Sequence, residues 1–281
     1  MNVAIVTDSG SDLTPTQLLA NRIVQVPLSV SFGTSSYLSP DEMKPEEFWR
    51  RLLEPGAPFP HTAAASAGQF KQVFERAFEG GADGIVCVTL AETLSATIRS
   101  AQMAKDMLPD REIHIVDSRT ACMGIGALAL RGAGMAAQGF PAAKIAAELT
   151  RIRESVFLYV ALETLEFLRK GGRISAAQAA IGGLLSVKPI ITVVDGLVVT
   201  ADKPRTRSKA RARVIELLSA RPVAEVHLLY SPPAEVDDFR DELLAHLPAP
   251  APKLVTAQII GPVIGAHVGP GVLGAVLLRP T

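Results

Sequence analysis

The chain has 281 residues, of which 48% are hydrophobic and 20% are charged, so it can bury a large core in one large domain or two smaller ones. Its 28 basic and 28 acidic side chains cancel to a formal net charge of zero. This balance argues against the basic surface that nucleic-acid binding requires, and we expect no nucleic-acid partner.

Short β-branched runs alternate with longer helical patterns through the first half of the chain. The predicted strands are Val3–Thr7, Ile23–Val30, Gly84–Leu90 and Glu112–Val116. The predicted helices are Thr14–Asn21, Pro45–Glu54, Ala67–Glu79, Leu94–Met107, Ala121–Gln138 and Pro141–Glu154. Such alternation implies right-handed crossovers and a mostly parallel sheet that is covered by helices on both faces.

The second half of the chain has a different pattern. Its predicted strands are Val156–Ala161, Lys188–Val194, Leu197–Ala201, Val223–Tyr230, Leu254–Ile260 and Gly274–Leu278. Its predicted helices are Leu162–Arg169, Ala176–Leu185, Lys209–Ala220 and Ala234–His246. Asp195-Gly196 between two apolar runs predicts a tight hairpin, so part of this sheet should be antiparallel.

The sequence therefore predicts an α/β fold with two domains. Residues 1–154 should form an α/β/α domain with a mostly parallel sheet, and residues 155–281 an α+β domain with a mixed sheet.

The amino terminus has no basic region followed by a long apolar run, which argues against a signal peptide. The sequence contains no unbroken run of about eighteen apolar residues, so we predict no membrane span. Cys87 and Cys122 both lie in apolar runs, which favours buried free thiols in a reducing compartment. We therefore expect a cytoplasmic protein with no stable insertion in a membrane.

Two predicted strands end in Asp-Ser, at Asp8-Ser9 and at Asp117-Ser118. These short side chains can accept hydrogen bonds from the free amides of the turn that follows. We interpret Asp8, Ser9 and Asp12 as helix caps.

Signatures of catalysis are weak in this sequence, and no phosphate-binding loop or metal-ligand spacing is present. Ser66 lies in a run that resembles a nucleophile elbow without its first glycine, and Gln69 makes a helix cap the better interpretation. Gly124–Ala129 matches a loose dinucleotide pattern, but within a predicted helix. Two enzyme alternatives stay open: a nucleotide-dependent enzyme using this stretch, and a hydrolase using Ser66 or Ser95 with His267.

Four small polar clusters are candidates for a binding site, and each contains one residue of particular interest: Thr62, Ser95, Arg173 and His267. Hydroxyl groups near helix N-termini, together with an arginine and a histidine, are suited to bind an anion. Each residue also has a simpler interpretation, as a helix cap, a surface charge or a packed histidine in a turn.

Several ordered blocks of the sequence resemble the DegV family, and the resemblance runs nearly from end to end. The blocks are Val6–Leu13, Val26–Val30, Lys170–Ser175, Gly182–Ile190 and Gly261–Gly271. The resemblance implies a carrier with no catalytic residues and no cofactor, which holds one long-chain fatty acid, such as palmitate, in a tunnel between two domains. It also implies a partner, a fatty acid kinase, that phosphorylates the carboxylate.

The resemblance implies a role for the four residues as well: Thr62, Ser95, Arg173 and His267 should bind the carboxylate of the fatty acid. Two departures from the family lie nearby: Thr62-Ala63-Ala64-Ala65-Ser66 stands where Thr-Ser-Gln-Pro-Ser is common, and Ala91-Glu92-Thr93 stands where two serines are common. A Glu92 carboxylate that pointed inward would repel the ligand, and we expect it to cap a helix or face solvent. The basic run 203–209 is either a solvated turn or a docking patch for the kinase. A regulatory protein with a lipid signal is a further alternative.

Overall fold

The computed structural model describes residues 1–174 and 187–280. Its strands are β1 (Val3–Asp8), β2 (Ile23–Val26), β3 (Leu28–Phe32), β4 (Ser35–Ser39), β5 (Pro60–Ala63), β6 (Gly84–Thr89), β7 (Ile113–Asp117), β8 (Val156–Ala161), β9 (Ile190–Val194), β10 (Leu197–Asp202), β11 (Glu225–Tyr230), β12 (Leu254–Ile259) and β13 (Leu273–Leu278). Its helices are α1 (Pro15–Ala20), α2 (Pro45–Leu52), α3 (Ala67–Glu79), α4 (Thr97–Asp106), α5 (Met123–Ala137), α6 (Ala142–Ile152), α7 (Glu166–Lys170), α8 (Arg207–Leu218), α9 (Asp237–His246) and α10 (Pro262–Val268). The predicted helix Ala176–Leu185 lies outside the described residues.

A four-stranded parallel sheet occupies the first half of the chain, with the strand order β2-β1-β6-β7. Successive side chains of β1 point to opposite faces of this sheet. Ile5 packs in the core under α5 and α6, whereas Val6 packs in a second core under α3 and α4. The predicted parallel sheet with helices on both faces is therefore confirmed.

A small antiparallel sheet with the order β4-β3-β5 was not predicted. The predicted strand Ile23–Val30 is in fact two strands in different sheets, because Pro27 lies between them and has no N–H to donate to a strand ladder. His61 and Thr62 were in none of the predicted strands, but they belong to β5, where Thr62 lies opposite Val30.

The second half of the chain forms a six-stranded mixed sheet with the order β10-β9-β8-β13-β11-β12. Only the pair β11 and β12 is parallel, as the prediction of a mixed sheet required. The hairpin at Asp195-Gly196 is confirmed, and both residues have the positive φ that such a tight turn needs. This sheet follows residue 155, in agreement with the predicted halves, while their division into two domains stays a prediction.

Two further expectations were wrong. The segment before His267 was expected to be a turn, but it is helix α10, which begins with Pro262 at a position where the missing N–H does no harm. Ser9 and Asp12 were interpreted as helix caps, but their side chains bond to distant backbone, at Leu28 and Gly261. Asp8 does cap the short turn that follows it.

Candidate functional site

One cavity lies between the six-stranded sheet and the elements of the first half of the chain. Cavity-lining residues of the six-stranded sheet include Leu158, Val193 and Val198, and those of the first half include Leu28 and Leu90. Both halves of the chain therefore contribute to its wall.

Five of the described lining residues carry a polar atom in the side chain: Thr62, Ser95, Cys122, Arg173 and His267. Every other described lining residue is Ala, Val, Leu or Ile. The structure thus brings the four residues singled out in the sequence to one wall of one apolar cavity. Their role in binding a carboxylate stays a prediction.

Thr62 and His267 contact each other directly. Thr62 Oγ1 on β5 lies 2.8 Å from His267 Nε2 on α10. Burial, with smaller contributions from the charges of Arg173 and His61, lowers the pKa of His267 to about 4. The imidazole is therefore neutral at neutral pH, and it can donate from one ring nitrogen and accept at the other.

The other ring nitrogen of His267, Nδ1, faces the backbone of the turn formed by Gly171, Gly172 and Arg173. A Cβ atom at Gly171 would lie 2.3 Å from His267 Nδ1, so a larger residue at this position would displace the ring. Nδ1 is buried and has no hydrogen-bond partner among the described residues. The pattern Gly171-Gly172-Arg173 was noted for its arginine, and this packing role of its first glycine was missed.

Arg173 is fixed by two backbone carbonyl groups. Its Nε donates to Leu94 O at 3.1 Å, and its Nη1 donates to Gly171 O at 2.6 Å. Nη2 makes no hydrogen bond to any residue in the described ranges. Arg173 therefore connects the turn after α7 to the loop before α4, and it keeps N–H donors for a ligand.

Ser95 lies two residues before Thr97, the first residue of α4. Its Oγ accepts a hydrogen bond from the backbone N–H of Thr97 at 3.2 Å and lies 2.8 Å from the hydroxyl of that residue. The N-terminus of a helix carries a partial positive charge, which favours an anion beside Ser95.

Taken together, the polar wall offers one guanidinium, one neutral imidazole and two hydroxyl groups at the edge of an aliphatic cavity. Such a set suits a ligand with a single negative charge and a long apolar body. The side chain of Glu92 is exposed and does not line the cavity, as we expected. The Glu92 carboxylate therefore adds no negative charge to the lining of the cavity.

The geometry does not favour the two enzyme alternatives. Ser66 caps α3 through its bonds with Gln69, and within the described residues neither Ser66 nor Ser95 is bonded to His267. Gly124 lies inside α5, where a Cβ atom would lie 2.6 Å from Thr120, so this glycine serves close packing and not the approach of a phosphate.

In residues 1–174 and 187–280, no group of three or more His, Cys, Asp or Glu side chains is arranged to hold a metal ion. In the same ranges, no helix has the length and apolar character needed to cross a membrane.

The chain is similar to known proteins over its whole length. A DegV domain-containing protein of Mycobacterium tuberculosis is 34% identical over an alignment of 281 positions. The alignment covers 98% of this chain and 96% of the relative. A DegV family protein of Thermus thermophilus, solved in a study of its fatty acid binding, is 32% identical, with a TM-score of 0.91 and full coverage of both chains. A stearic acid-binding protein of Eubacterium ventriosum is 27% identical, with a TM-score of 0.88 and coverage of 99% of this chain and 98% of that one.

The sequence model described as "Uncharacterised protein, DegV family" matches residues 2–279. That match spans nearly the whole chain, and it agrees with the blocks noted in the sequence. The chain belongs to the DegV family.

Proposed function

We propose that this protein binds one long-chain fatty acid in the cavity, with the hydrocarbon chain among the aliphatic side chains and the carboxylate at Thr62, Ser95, Arg173 and His267. The observation that carries the proposal is the composition of the wall, in which these four residues supply the polar groups beside the Cys122 thiol. Fatty acid binding by the DegV protein of Thermus thermophilus and stearic acid binding by the relative from Eubacterium ventriosum support the same ligand class.

The apolar part of the cavity supplies most of the proposed affinity. A saturated sixteen-carbon acid has about fourteen methylenes, each stabilised by ~0.8 kcal/mol on burial. The gross gain is on the order of 10 kcal/mol before the costs of ordering and association. Tight binding therefore needs only modest help from the carboxylate contacts.

The polar groups select the head of the ligand. Arg173 is the cation of the wall, and its bonds to Leu94 and Gly171 hold the guanidinium in place before the ligand arrives. The Thr62 hydroxyl donates to the carboxylate and accepts in turn from Nε2–H of His267, so the neutral imidazole orients this hydroxyl toward the ligand. Preorganised donors of this kind cost little to align on binding.

We further propose that the chain is a carrier and that a partner fatty acid kinase in the cytoplasm phosphorylates the carboxylate. The proposal is supported by the position of Thr62, Ser95 and Arg173, which are half-buried, so the carboxylate would be near the surface. The cavity, with walls from residues 1–154 and 155–281, would then be the tunnel between two domains that the family resemblance implies.

A docking surface for this kinase is proposed in the basic run from Lys203 to Lys209. Lys203, Arg205, Arg207 and Lys209 are all exposed, and Arg207 forms an ion pair with Glu163 at 2.6 Å. Charge reversal at Arg205 should lower turnover by the kinase with little effect on fatty-acid affinity, and unchanged turnover would refute this surface.

The ligand can be identified directly. The recombinant protein is purified, unfolded in organic solvent, and the released lipid is quantified by mass spectrometry. The proposal predicts a C14–C18 fatty acid at close to one equivalent, or uptake of one equivalent after delipidation. A protein that carries no fatty acid and takes up none would overturn it.

A further inference from the structure

The segment from Asp8 to Asp12 joins three parts of the cavity wall, and the proposed function does not use it. All five residues are buried. Asp8 Oδ2 accepts a hydrogen bond from the backbone N–H of Leu90 at 2.8 Å, and Ser9 Oγ accepts one from that of Leu28 at 2.9 Å. The side chains of both leucines line the cavity.

The third bond of this segment reaches the helix that carries His267. Asp12 Oδ1 accepts from the backbone N–H of Gly261 at 3.0 Å, and Gly261 is the N-cap residue of α10. The neighbouring carbonyl, Ile260 O, accepts from Trp49 Nε1 at 2.7 Å. The peptide group between Ile260 and Gly261, directly before α10, is thus held at its N–H and at its C=O by side chains of the first half of the chain.

Helix α10 has little freedom to move relative to this point. It is only seven residues long, and a Cβ atom at Gly265 would lie 2.7 Å from Phe48 and 2.8 Å from Trp49. Its position against α2 therefore depends on close contact of backbone with aromatic rings. Any shift of its first residue would move His267, which lies in the last turn of the helix.

We propose that Asp12 is a positioning residue for the carboxylate site: by holding the Gly261 amide it sets where α10 begins and hence where His267 meets Thr62 and the ligand. This inference rests on the proposed function, since it concerns the head of the fatty acid. Asp12 does not touch the ligand, because it is absent from the described lining of the cavity.

The chemical state of Asp12 supports this role and suggests the conservative variant. Burial raises the pKa of Asp12 to about 8, and the nearby Asp8 carboxyl adds to the effect. At neutral pH the side chain is therefore mostly a neutral acid that accepts at Oδ1, while Oδ2 has no partner among the described residues. An asparagine can reproduce this arrangement.

The test compares affinity for palmitate with affinity for 1-hexadecanol, which has the same chain without the carboxylate. Dissociation constants are measured by displacement of a fluorescent fatty acid from wild type, D12A, D12N, S9A and H267A. In D12A we expect the preference for the acid to fall roughly tenfold, the value of one hydrogen bond to a charged group. D12N should keep the wild-type preference.

S9A is the matched control, because it removes the same kind of bond from a different wall of the cavity. The affinities for the acid and for the alcohol should therefore change by the same factor in S9A.

Further outcomes separate positioning from a general loss of structure. If Asp12 acts through His267, the double variant D12A/H267A should have the preference of H267A alone. If D12A does not fold, W49F carries the same test, because it removes the other bond at the start of α10 and keeps an aromatic side chain at this position. Equal losses for acid and alcohol in D12A or W49F would overturn the inference. Failure of wild type to bind either ligand would instead refute the proposed function.

Discussion

The hydroxyl group of Thr62 lies 2.8 Å from Nε2 of His267, although the two residues are 205 positions apart in the chain. The contact joins β5 to α10 at the wall of an otherwise aliphatic cavity. Because burial keeps His267 neutral, its Nε2–H can donate to the Thr62 hydroxyl, and that hydroxyl can donate to a carboxylate, without a second fixed cation.

Replacing Thr62 by valine removes the hydroxyl and keeps the shape of the side chain. We expect T62V to weaken palmitate binding about tenfold, as for loss of a hydrogen bond to a charged group, with little effect on hexadecanol. Titration of delipidated protein with both ligands measures this difference.

A matched control exists in the same chain. Thr256 Oγ1 lies 2.9 Å from Nδ1 of the buried His227, and neither residue lines the cavity. T256V therefore removes an equivalent threonine–histidine contact, and we expect it to lower stability while palmitate affinity stays at the wild-type value. Equal effects of T62V and T256V on affinity would contradict the assignment of Thr62.

The protonation of His267 should respond to the ligand. In the empty protein the pKa of His267 is about 4, so its ring should stay neutral as the pH falls from 8 to 5.5. A bound carboxylate stabilises the imidazolium, so the pKa should rise on addition of palmitate. Side-chain nitrogen NMR can follow this titration, with H267A to assign the signal. A pKa that is the same with and without palmitate would place the carboxylate elsewhere.

The length of the bound chain should depend on the volume of the cavity. Val198 and Val193 lie opposite each other in the hairpin of β9 and β10, and both line the cavity. The anion site lies on other elements, so V198F should leave the carboxylate contacts and shorten the space for the chain. Each excluded methylene costs ~0.8 kcal/mol, and two correspond to roughly 15-fold in affinity.

Competition between a C18 and a C12 acid measures this effect. We expect V198F to shift the preference toward C12. V24F is the control, because Val24 is 40% exposed on β2 and does not line the cavity. An unchanged preference in V198F would mean that the chain does not lie along this hairpin.

Asp12 should make the folded protein less stable as the pH rises. Burial raises its pKa from 3.8 to about 8, so between these values the folded state holds a proton that the unfolded chain has released. Stability therefore falls across this window, by up to about 1.4 kcal/mol per pH unit for one group. The raised pKa of Asp8 acts in the same direction, and the Cys122 thiol nearby stays protonated.

Asparagine at position 12 cannot ionise. D12N should therefore lack the part of the pH dependence of stability that comes from Asp12 and keep the rest. Urea unfolding at pH 5 and pH 8 tests the expectation: the loss of stability between the two should be smaller in D12N than in wild type. The same loss in both proteins would show that Asp12 does not carry the raised pKa.

Most regular elements could be predicted because their periodicity is strong. Helix Ala67–Glu79 and strand Val156–Ala161 have the predicted bounds, and Asp195-Gly196 forms the expected hairpin. Strand β4 was missed because Ser35–Ser39 has three serines and no apolar alternation. Helix α10 was missed because its glycine and proline content is typical of a turn.

The site was predictable only in part, because its geometry depends on contacts between distant residues. The family resemblance selected Thr62, Ser95, Arg173 and His267, and the structure places them on one cavity. Nothing local in the sequence indicated that His267 would pack on Gly171 or that Asp12 would hold the start of α10. Asp12 looked like a helix cap, since a short acidic side chain after a strand has the same pattern in both roles.

The most direct test of the central claim is a crystal structure of the delipidated protein reloaded with palmitate. We predict a carboxylate within hydrogen-bond distance of Thr62, Ser95 and Arg173 and next to His267, and a hydrocarbon chain that runs between Leu28, Leu90 and the hairpin of β9 and β10. A carboxylate bound at other residues, or a cavity that stays empty at saturating palmitate, would contradict it.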